Sequence, residues 1–337
     1  MGCGGDLLIG TILFLVSIVI ILLGAAAFTN SVEWLGKRLK VSEGVVGSIF
    51  AALGTALPET MIPVMAILFG SDRSRQEVGI GAILGAPLML SCLVVPMLGL
   101  GLLVTASLRK RTKSFQLNYH SVATDIEFFL TSYALAFLIA LIPSSKFFRW
   151  GAALLLLFLY GIYLKRMFAR EASGEAHVEP LYFARQSARP SYTAIGSQIL
   201  AGLGCIIGGA HLFVEVIQHL ALSLNVTPLI LSTIITPLAT EFPETFNSLI
   251  WISRKKDILA VGNITGAMVF QSTFPVAVGL MGTPWHLNFH ALSSIALTLT
   301  ASTFLYLAIR LRGGWNPHYL IPGISFYIAY GLIIYFL

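Results

Sequence analysis

The 337-residue chain is too apolar and too sparsely charged for a water-soluble protein. Hydrophobic residues make up 56% of it and charged residues only 11%, whereas soluble domains carry roughly 25% charged residues. The net charge of +6 is accompanied by no aromatic-basic groove or reading helix, so a nucleic-acid partner is not expected. The composition predicts an all-α polytopic membrane protein whose main partner is the lipid bilayer.

Ten apolar runs, each long enough to cross about 30 Å of hydrocarbon, recur along the chain. We expect each of them to form a transmembrane helix. The first run lacks a basic start and a small-residue cleavage site, so we interpret it as a retained span and not as a signal peptide. The predicted spans are 6–29, 44–70, 77–106, 119–142, 147–165, 193–222, 227–253, 258–282, 287–309 and 317–337.

The distribution of Lys and Arg supports this count, because basic residues concentrate in cytoplasmic loops. With the N-terminus outside, most of the 21 Lys and Arg residues fall in predicted inner loops. The exceptions in the outer loops are Arg73, Arg75, Lys146 and Arg149. A missed or invented span would disturb this division, so we expect both termini to lie outside.

A long polar stretch, 169–192, divides the predicted spans into two sets of five. An odd number of spans in each set means that the second set enters the membrane with the opposite polarity, which is the inverted-repeat plan of many secondary transporters. We therefore expect a first five-helix repeat at 1–168, a cytoplasmic linker at 169–192 and a second five-helix repeat at 193–337.

A proline–glutamate pair interrupts the second predicted span of each half, as Pro58-Glu59 and as Pro243-Glu244. A carboxylate near the bilayer centre costs about 3 kcal/mol on insertion scales. Proline in addition removes a backbone hydrogen bond where no water can replace it. Two such destabilising pairs in corresponding spans predict one polar site that is assembled from both halves.

The third predicted spans of the two halves also match. Segment 81–86, GAILGA, aligns with segment 262–267, GNITGA, after four extra residues are allowed in the first half's connection. The paired glycines Gly81 and Gly85, and Gly262 and Gly266, are expected to let helices approach closely. Because two motifs recur in the same order in corresponding spans, we interpret the halves as related repeats.

The residues around each proline–glutamate pair carry oxygen atoms that suit a hard cation. A proline frees the carbonyl oxygen four residues earlier, and a threonine four residues before a glutamate shares its helical face. These groups are the carbonyls of Gly54 and Ala239 and the side-chain pairs Thr55 with Glu59 and Thr240 with Glu244. Ca²⁺ takes about six to eight such oxygens in flexible geometry, and Na⁺ would accept a similar shell with fewer charges.

The pattern G-T-x-x-P-E then G-x-x-x-G-[small], repeated as [small]-T-x-x-P-E then G-N-x-x-G-[small], resembles the alpha repeats of the sodium/calcium exchanger (cation/calcium antiporter) superfamily. The likeness covers the motif regions 51–91 and 236–276 and, in topology, nearly the whole chain. It implies alternating-access exchange of Ca²⁺ for a monovalent cation, with Glu59 and Glu244 as central ligands. It also implies a prokaryotic inner (plasma) membrane as the location.

The sequence departs from the family pattern chiefly by losing hydroxyl and amide groups. Ala86 and Leu90 stand where the family usually carries serine and asparagine, and Ala56 stands where serine is common. In the second half, Ala267 replaces a frequent serine. Because these groups are missing, the sequence does not define the number or the identity of the sites for monovalent ions.

One carboxylate is gained in return. Glu241 occupies a position where the family commonly has serine, three residues before Glu244 and on nearly the same face. Gln271 lies four residues before Pro275, which frees the Gln271 carbonyl oxygen. Its side chain either binds the cation or forms a hydrogen bond between helices. Asn263 is either a ligand or a tie between helices. The expected cation ligands are Glu59, Glu244, Glu241, Thr55, Thr240 and Gln271, the carbonyls of Gly54 and Ala239, and Asn263 as a further candidate.

These residues predict a secondary active cation antiporter, and we favour Na⁺/Ca²⁺ exchange. Ca²⁺/H⁺ exchange is the main alternative, because two glutamates three residues apart in apolar surroundings do not readily carry both charges at once. A cation channel is less favoured, and an enzyme is not expected, because neither H-E-x-x-H nor G-x-S-x-G occurs. Transported Ca²⁺ and Na⁺ or H⁺ are the expected ligands, with no cofactor and no obligate protein partner.

Overall fold

The computed structural model describes residues 3–39, 51–70, 72–109, 111–142, 145–168, 179–187 and 189–336, without the side chains of 3–7, 51–57, 109, 168 and 243. Throughout these ranges the chain is helical and contains no strand, as the composition predicts. The α-helices are α1 (Cys3–Arg38), α2 (Ala51–Leu68), α3 (Arg73–Met89), α4 (Val95–Arg109), α5 (Tyr119–Leu141), α6 (Lys146–Phe168), α7 (Tyr192–Leu224), α8 (Pro228–Thr240), α9 (Phe242–Ser253), α10 (Asp257–Gln271), α11 (Phe274–Gly282), α12 (Phe289–Arg312), α13 (Pro317–Leu320) and α14 (Ile324–Phe336).

Eight segments of the described chain are long and apolar enough to cross a membrane, as expected of an integral membrane protein. They are Leu8–Arg38, Arg73–Leu108, Tyr119–Leu141, Lys146–Met167, Tyr192–Leu224, Asp257–Gly282, Phe289–Arg312 and Pro317–Phe336. Two shorter apolar helices, Pro58–Leu68 and Pro228–Thr240, lie within the predicted spans 44–70 and 227–253. Residues 44–50 fall outside the described ranges, so the count of ten spans stays a prediction.

The predicted span 227–253 is divided into two helices and not one. Helix α8 ends at Thr240, α9 begins at Phe242, and Glu241 forms the junction between them. Pro243 lies in the first turn of α9, where its missing N–H is tolerated because that N–H would have no partner within the helix. Proline therefore starts a new helix here instead of interrupting an old one.

The span after it is divided in the same way. Helix α10 ends at Gln271, and α11 begins at Phe274 with Pro275 in its first turn. In the first half the irregularity is milder, because α2 continues through Pro58. A π-helical turn, Leu90–Val94, joins α3 to α4. In the alignment of Gly81 with Gly262, this turn falls on residues 271–275, where the second half breaks.

Helix packing brings the broken segments together. Helices α1 and α7 lie side by side over most of their length, and both contact α2. Helix α2 also contacts α3, α8 and α11. The junction at Glu241 and the glutamate of α2 consequently lie in the interior of the bundle, where both side chains are buried.

The two glycine pairs behave differently, although the sequence predicts close approach for both. A Cβ atom on Gly81 would lie 2.5 Å from the Leu229 carbonyl oxygen, and one on Gly85 would lie 2.1 Å from that of Thr233, so α3 and α8 touch backbone to backbone. Apart from the neighbouring backbone of its own helix, no described atom lies within 4 Å of a Cβ built on Gly262. The prediction is correct for the first half and wrong for Gly262 in this conformation.

Candidate cation-binding site

Glu241 lies at the junction between α8 and α9 and is 1% exposed. Its Oε1 atom accepts a hydrogen bond of 3.2 Å from Nε2 of Gln271, the last residue of α10. Its Oε2 atom has no hydrogen-bond partner among the described residues. The two helix breaks of the second half therefore meet through these two side chains, and one carboxylate oxygen is left available to a ligand.

Glu59 of α2 provides a second buried carboxylate and is 6% exposed. Neither of its carboxylate oxygens has a hydrogen-bond partner within the described part of the chain. It lies close enough to Glu241 and Glu244 for the three charges to interact. The three glutamates that the sequence singled out from the two halves therefore lie within range of one another's charge, although they do not form a compact carboxylate cluster.

Glu244 is partly buried and lies in the first turn of α9. The first turn of a helix carries unpaired N–H groups and the positive end of the helix dipole, which favours a negative side chain. Glu244 is therefore better compensated by its own helix than Glu59, which lies in the middle of α2.

The structure describes the positions of some of the predicted neutral ligands but not of all of them. Thr240 is buried, and its hydroxyl donates a hydrogen bond of 3.1 Å to the Thr236 carbonyl, so its oxygen keeps lone pairs for a cation. Ala239 lies in the last turn of α8, before the junction. Gly54 and Thr55 belong to α2, and the side chain of Thr55 lies outside the described residues.

Asn263 makes a hydrogen bond between two helices of the second half. Its Nδ2 atom donates a hydrogen bond of 3.3 Å to Oγ of Ser248, which ties α10 to α9. Of the two roles open from the sequence, the geometry supports the tie between helices.

Carboxylates alone do not complete the site. Over the described ranges, no three acidic, histidine or cysteine side chains are grouped closely enough to hold a metal ion by themselves. A bound cation would need hydroxyl, amide and carbonyl oxygens as well, which is the mixed oxygen shell that Ca²⁺ accepts. The buried carboxylates in turn need a cation or a proton, because uncompensated charge is costly in a low-dielectric interior.

The sequence did not single out a buried ion pair at the other end of the same helices. Arg111, in the loop between α4 and α5, donates to the carboxylate of Asp257 in the first turn of α10. An acidic residue that begins an apolar helix was a possible signal. Its partner is distant in the sequence, so the pairing was not predictable from spacing.

Comparison with known proteins assigns the family. Residues 9–169 and 196–337 match the profile described as sodium/calcium exchanger protein. The chain belongs to this family. The resemblance drawn from the two repeated motifs is thereby confirmed, and the family is one of transporters and not of enzymes.

Two relatives of this exchanger-family protein match most of its length. It is 25% identical to the uncharacterized membrane protein MJ0091 of Methanocaldococcus jannaschii over 273 residues, or 81% of this chain and 82% of the relative. It is 24% identical to the putative antiporter CaxA of Alkalimonas amylolytica over 311 residues, or 91% of this chain and 92% of the relative.

Solved structures share the fold of this exchanger-family protein at low sequence identity. The H⁺/Ca²⁺ exchanger CAX superposes with a TM-score of 0.76 at 17% identity, covering 96% of this chain and 82% of that one. The sodium-calcium exchanger NCX_Mj gives a TM-score of 0.58 at 21% identity, covering 98% and 99%. At these identities the likeness establishes the fold and leaves the transported ions open.

Proposed function

We propose that the protein is a secondary active antiporter that exchanges Ca²⁺ for Na⁺ by alternating access. The observation that carries the proposal is the pair of buried glutamates, Glu59 and Glu241, which have carboxylate oxygens without hydrogen-bond partners among the described residues. The charge of Glu59 interacts with those of Glu241 and Glu244. One divalent ion or several monovalent ions would neutralise these charges. The empty site resists reorientation because its charges are uncompensated, and this resistance couples the two ion movements.

The ligand shell proposed for Ca²⁺ draws on both halves of the chain. Glu59, Glu241 and Glu244 supply carboxylates, and Thr55, Thr240 and Gln271 supply neutral side-chain oxygens. The carbonyls of Gly54 and Ala239 complete the set, because Pro58 and Pro243 cannot donate to them. The helix junction at Glu241 supports this shell, since discontinuous helices are the usual source of carbonyl ligands in transporters.

The architecture proposed for this function has ten spans in two inverted repeats, 1–168 and 193–337, joined by the cytoplasmic linker 169–192, with both termini outside. Supporting it, the π-helical turn of the first half and the break at Gln271 of the second fall at matched positions. We further propose a prokaryotic inner membrane as its location. Transport would require the cations and the lipid bilayer, with no cofactor and no obligate protein partner.

Ca²⁺/H⁺ exchange is the second candidate, and Glu241 is the observation that favours it. This third carboxylate has few neutral ligands around it, because Ala86, Leu90 and Ala267 stand where the family pattern carries residues with side-chain oxygens. A site rich in carboxylates and poor in hydroxyls suits a divalent ion and a proton better than several sodium ions.

A flux assay with interchangeable gradients tests the proposal. Purified protein in sealed liposomes should accumulate Ca²⁺ when an outward Na⁺ gradient is imposed and should stop when that gradient is collapsed. Accumulation driven by a pH gradient in the absence of Na⁺ would assign the proton as the counter-ion. Ca²⁺ entry without any counter-gradient would indicate a channel, and no Ca²⁺ movement under either gradient would refute the proposal.

A further inference from the structure

Helices α9 and α10 form a hairpin, which we call the site hairpin and define as residues 242–271. Its closed end is the turn 254–256, in which Lys255 adopts a left-handed conformation with φ of 62°. Its open end carries Glu244 and Gln271 and adjoins Glu241. Helix α9 therefore begins at the proposed cation site, and α10 returns from the turn and ends there.

Three polar links join the two helices at successive depths. At the open end Gln271 donates to Glu241, and midway Asn263 donates to Ser248. At the closed end the link is indirect and passes through Arg111, which comes from outside the hairpin. The links at the open end and midway are single hydrogen bonds from neutral amide donors. The link at the closed end is made by a charged side chain.

One guanidinium group, that of Arg111, contacts both helices at the closed end of the hairpin. Its Nη1 atom donates to the Ile252 carbonyl near the end of α9, and its Nη2 atom donates to Oδ2 of Asp257 at the start of α10. The backbone N–H of Gln116 donates to the same carboxylate oxygen at 2.9 Å. The side chains of Arg111 and Asp257 are 4% and 1% exposed, so this contact is buried.

We propose that Arg111 is a positioning residue for the cation site, because it fixes the tilt and separation of α9 and α10 at their closed end. The inference rests on the proposed function of Glu241, Glu244 and Gln271. Helix α10 has 15 residues and is about 22 Å long, so a rotation of about 5° at the closed end moves the open end by roughly 2 Å. Ion sites tolerate misplacements of only about 0.5 Å.

The planar fork of arginine is what this position requires. It reaches a carbonyl on one helix and a carboxylate on the other at the same time, and a lysine ammonium does not reproduce that fixed geometry. Asp257 stabilises the N-terminus of α10 through the helix dipole, but it makes no link to α9 by itself. The turn itself is held to α9 by backbone hydrogen bonds from Lys255 to Ile252 and from Lys256 to Trp251. Arg111 adds the side-chain link that joins α9 to the start of α10.

The experiment compares four proteins in liposomes: wild type, Arg111→Gln, Arg111→Lys, and the double variant Arg111→Gln/Asp257→Asn. Apparent KM for Ca²⁺, maximal rate and melting temperature are measured for each. Arg111→Gln should lower the melting temperature and raise the KM about tenfold. The double variant removes the uncompensated carboxylate, so it should regain melting temperature while its KM stays raised, and Arg111→Lys should recover only part of the KM.

The control is the exposed ion pair between Arg310 of α12 and Glu127 of α5, which also joins two elements but lies outside the site hairpin. The variant Arg310→Gln/Glu127→Gln should leave the KM unchanged. A wild-type KM in the double Arg111→Gln/Asp257→Asn variant, or an equal rise in the control, would overturn the inference. If wild-type protein moves no Ca²⁺, the proposed function fails. The role of Arg111 is then tested without KM, by comparing the cation concentration that gives half-maximal thermal stabilisation in wild type and in the variants.

Discussion

Both carboxylate oxygens of Glu59 and the Oε2 atom of Glu241 lie inside the bundle, and no described residue donates a hydrogen bond to them. An ion stripped of water costs several kcal/mol unless it is paired, so each oxygen favours a state with a cation or a proton bound. Gln271 reduces this cost for one oxygen of Glu241 only. The energetic demand for a ligand is therefore concentrated on these two residues.

Replacing Glu59 with glutamine should stop exchange and stabilise the empty protein. The substitution removes a negative charge that interacts with Glu241 and Glu244, so the melting temperature in cation-free buffer should rise. Added Ca²⁺ should no longer stabilise the variant, and Ca²⁺ flux should fall at least about tenfold. Glu77→Gln is a suitable control, because Glu77 pairs with the exposed Arg73 and should leave flux unchanged. Wild-type flux in Glu59→Gln would contradict the assignment.

Glu241→Gln should separate the two candidate counter-ions. If the proton is carried here, the variant loses uptake driven by a pH gradient, since an amide cannot release a proton in this range. With Na⁺ as the counter-ion, uptake driven by a Na⁺ gradient persists at reduced affinity, because Glu59 and Glu244 remain. Rates measured under each gradient distinguish these results, and full wild-type behaviour under both gradients would remove Glu241 from the site.

At the scale of helices, the sequence identified both proline–glutamate pairs as irregular positions but did not predict that only one of them divides its helix. Pro58 and Pro243 occur in the same motif, yet α2 continues through Pro58 while Pro243 begins α9. A proline is compatible with either outcome, and the local spacing is identical in the two halves. Tertiary contacts decide between them, such as the hydrogen bond that fixes Glu241 to Gln271.

The glycine motifs provide a matched pair of substitutions. Gly85→Ala should lower the melting temperature or prevent folding, because its Cβ would meet the Thr233 carbonyl oxygen at 2.1 Å. Gly262→Ala should keep or slightly raise the melting temperature, since alanine is favoured over glycine in helices by about 1 kcal/mol and no described atom obstructs it. Thermal melting of the purified variants measures both, and equal destabilisation of the two would show that the contact between α3 and α8 is not as described.

Asn263→Ala should weaken the hairpin without changing ion affinity. Its hydrogen bond to Ser248 contributes about 1 kcal/mol, so a modest fall in melting temperature is expected. The apparent KM for Ca²⁺ should stay within about twofold of wild type. A tenfold rise in KM, measured in the same flux assay, would identify Asn263 as a ligand after all.

At the scale of the molecule, composition and the repeated motifs were sufficient to predict an all-helical membrane protein of the exchanger family. The paired glutamates were predictable because carboxylates and prolines are conspicuous in apolar spans. The link from Arg111 to Asp257 was not predictable, because a loop residue and a helix start gave no sign of their proximity. Contacts between the halves depend on how the helices pack, and periodicity within a helix does not encode them.

If the two halves are inverted repeats, as we propose, the unequal packing of the two glycine pairs predicts a second arrangement of the helices. Two inverted halves that trade places would bring Gly262 and Gly266 into the tight contact that Gly81 and Gly85 make here, and would release the latter pair. A methyl group on Gly262 would then sterically block that second arrangement. Gly262→Ala protein should melt like wild type and bind Ca²⁺ from one side, yet turn over slowly in the flux assay because it stays in the arrangement seen here.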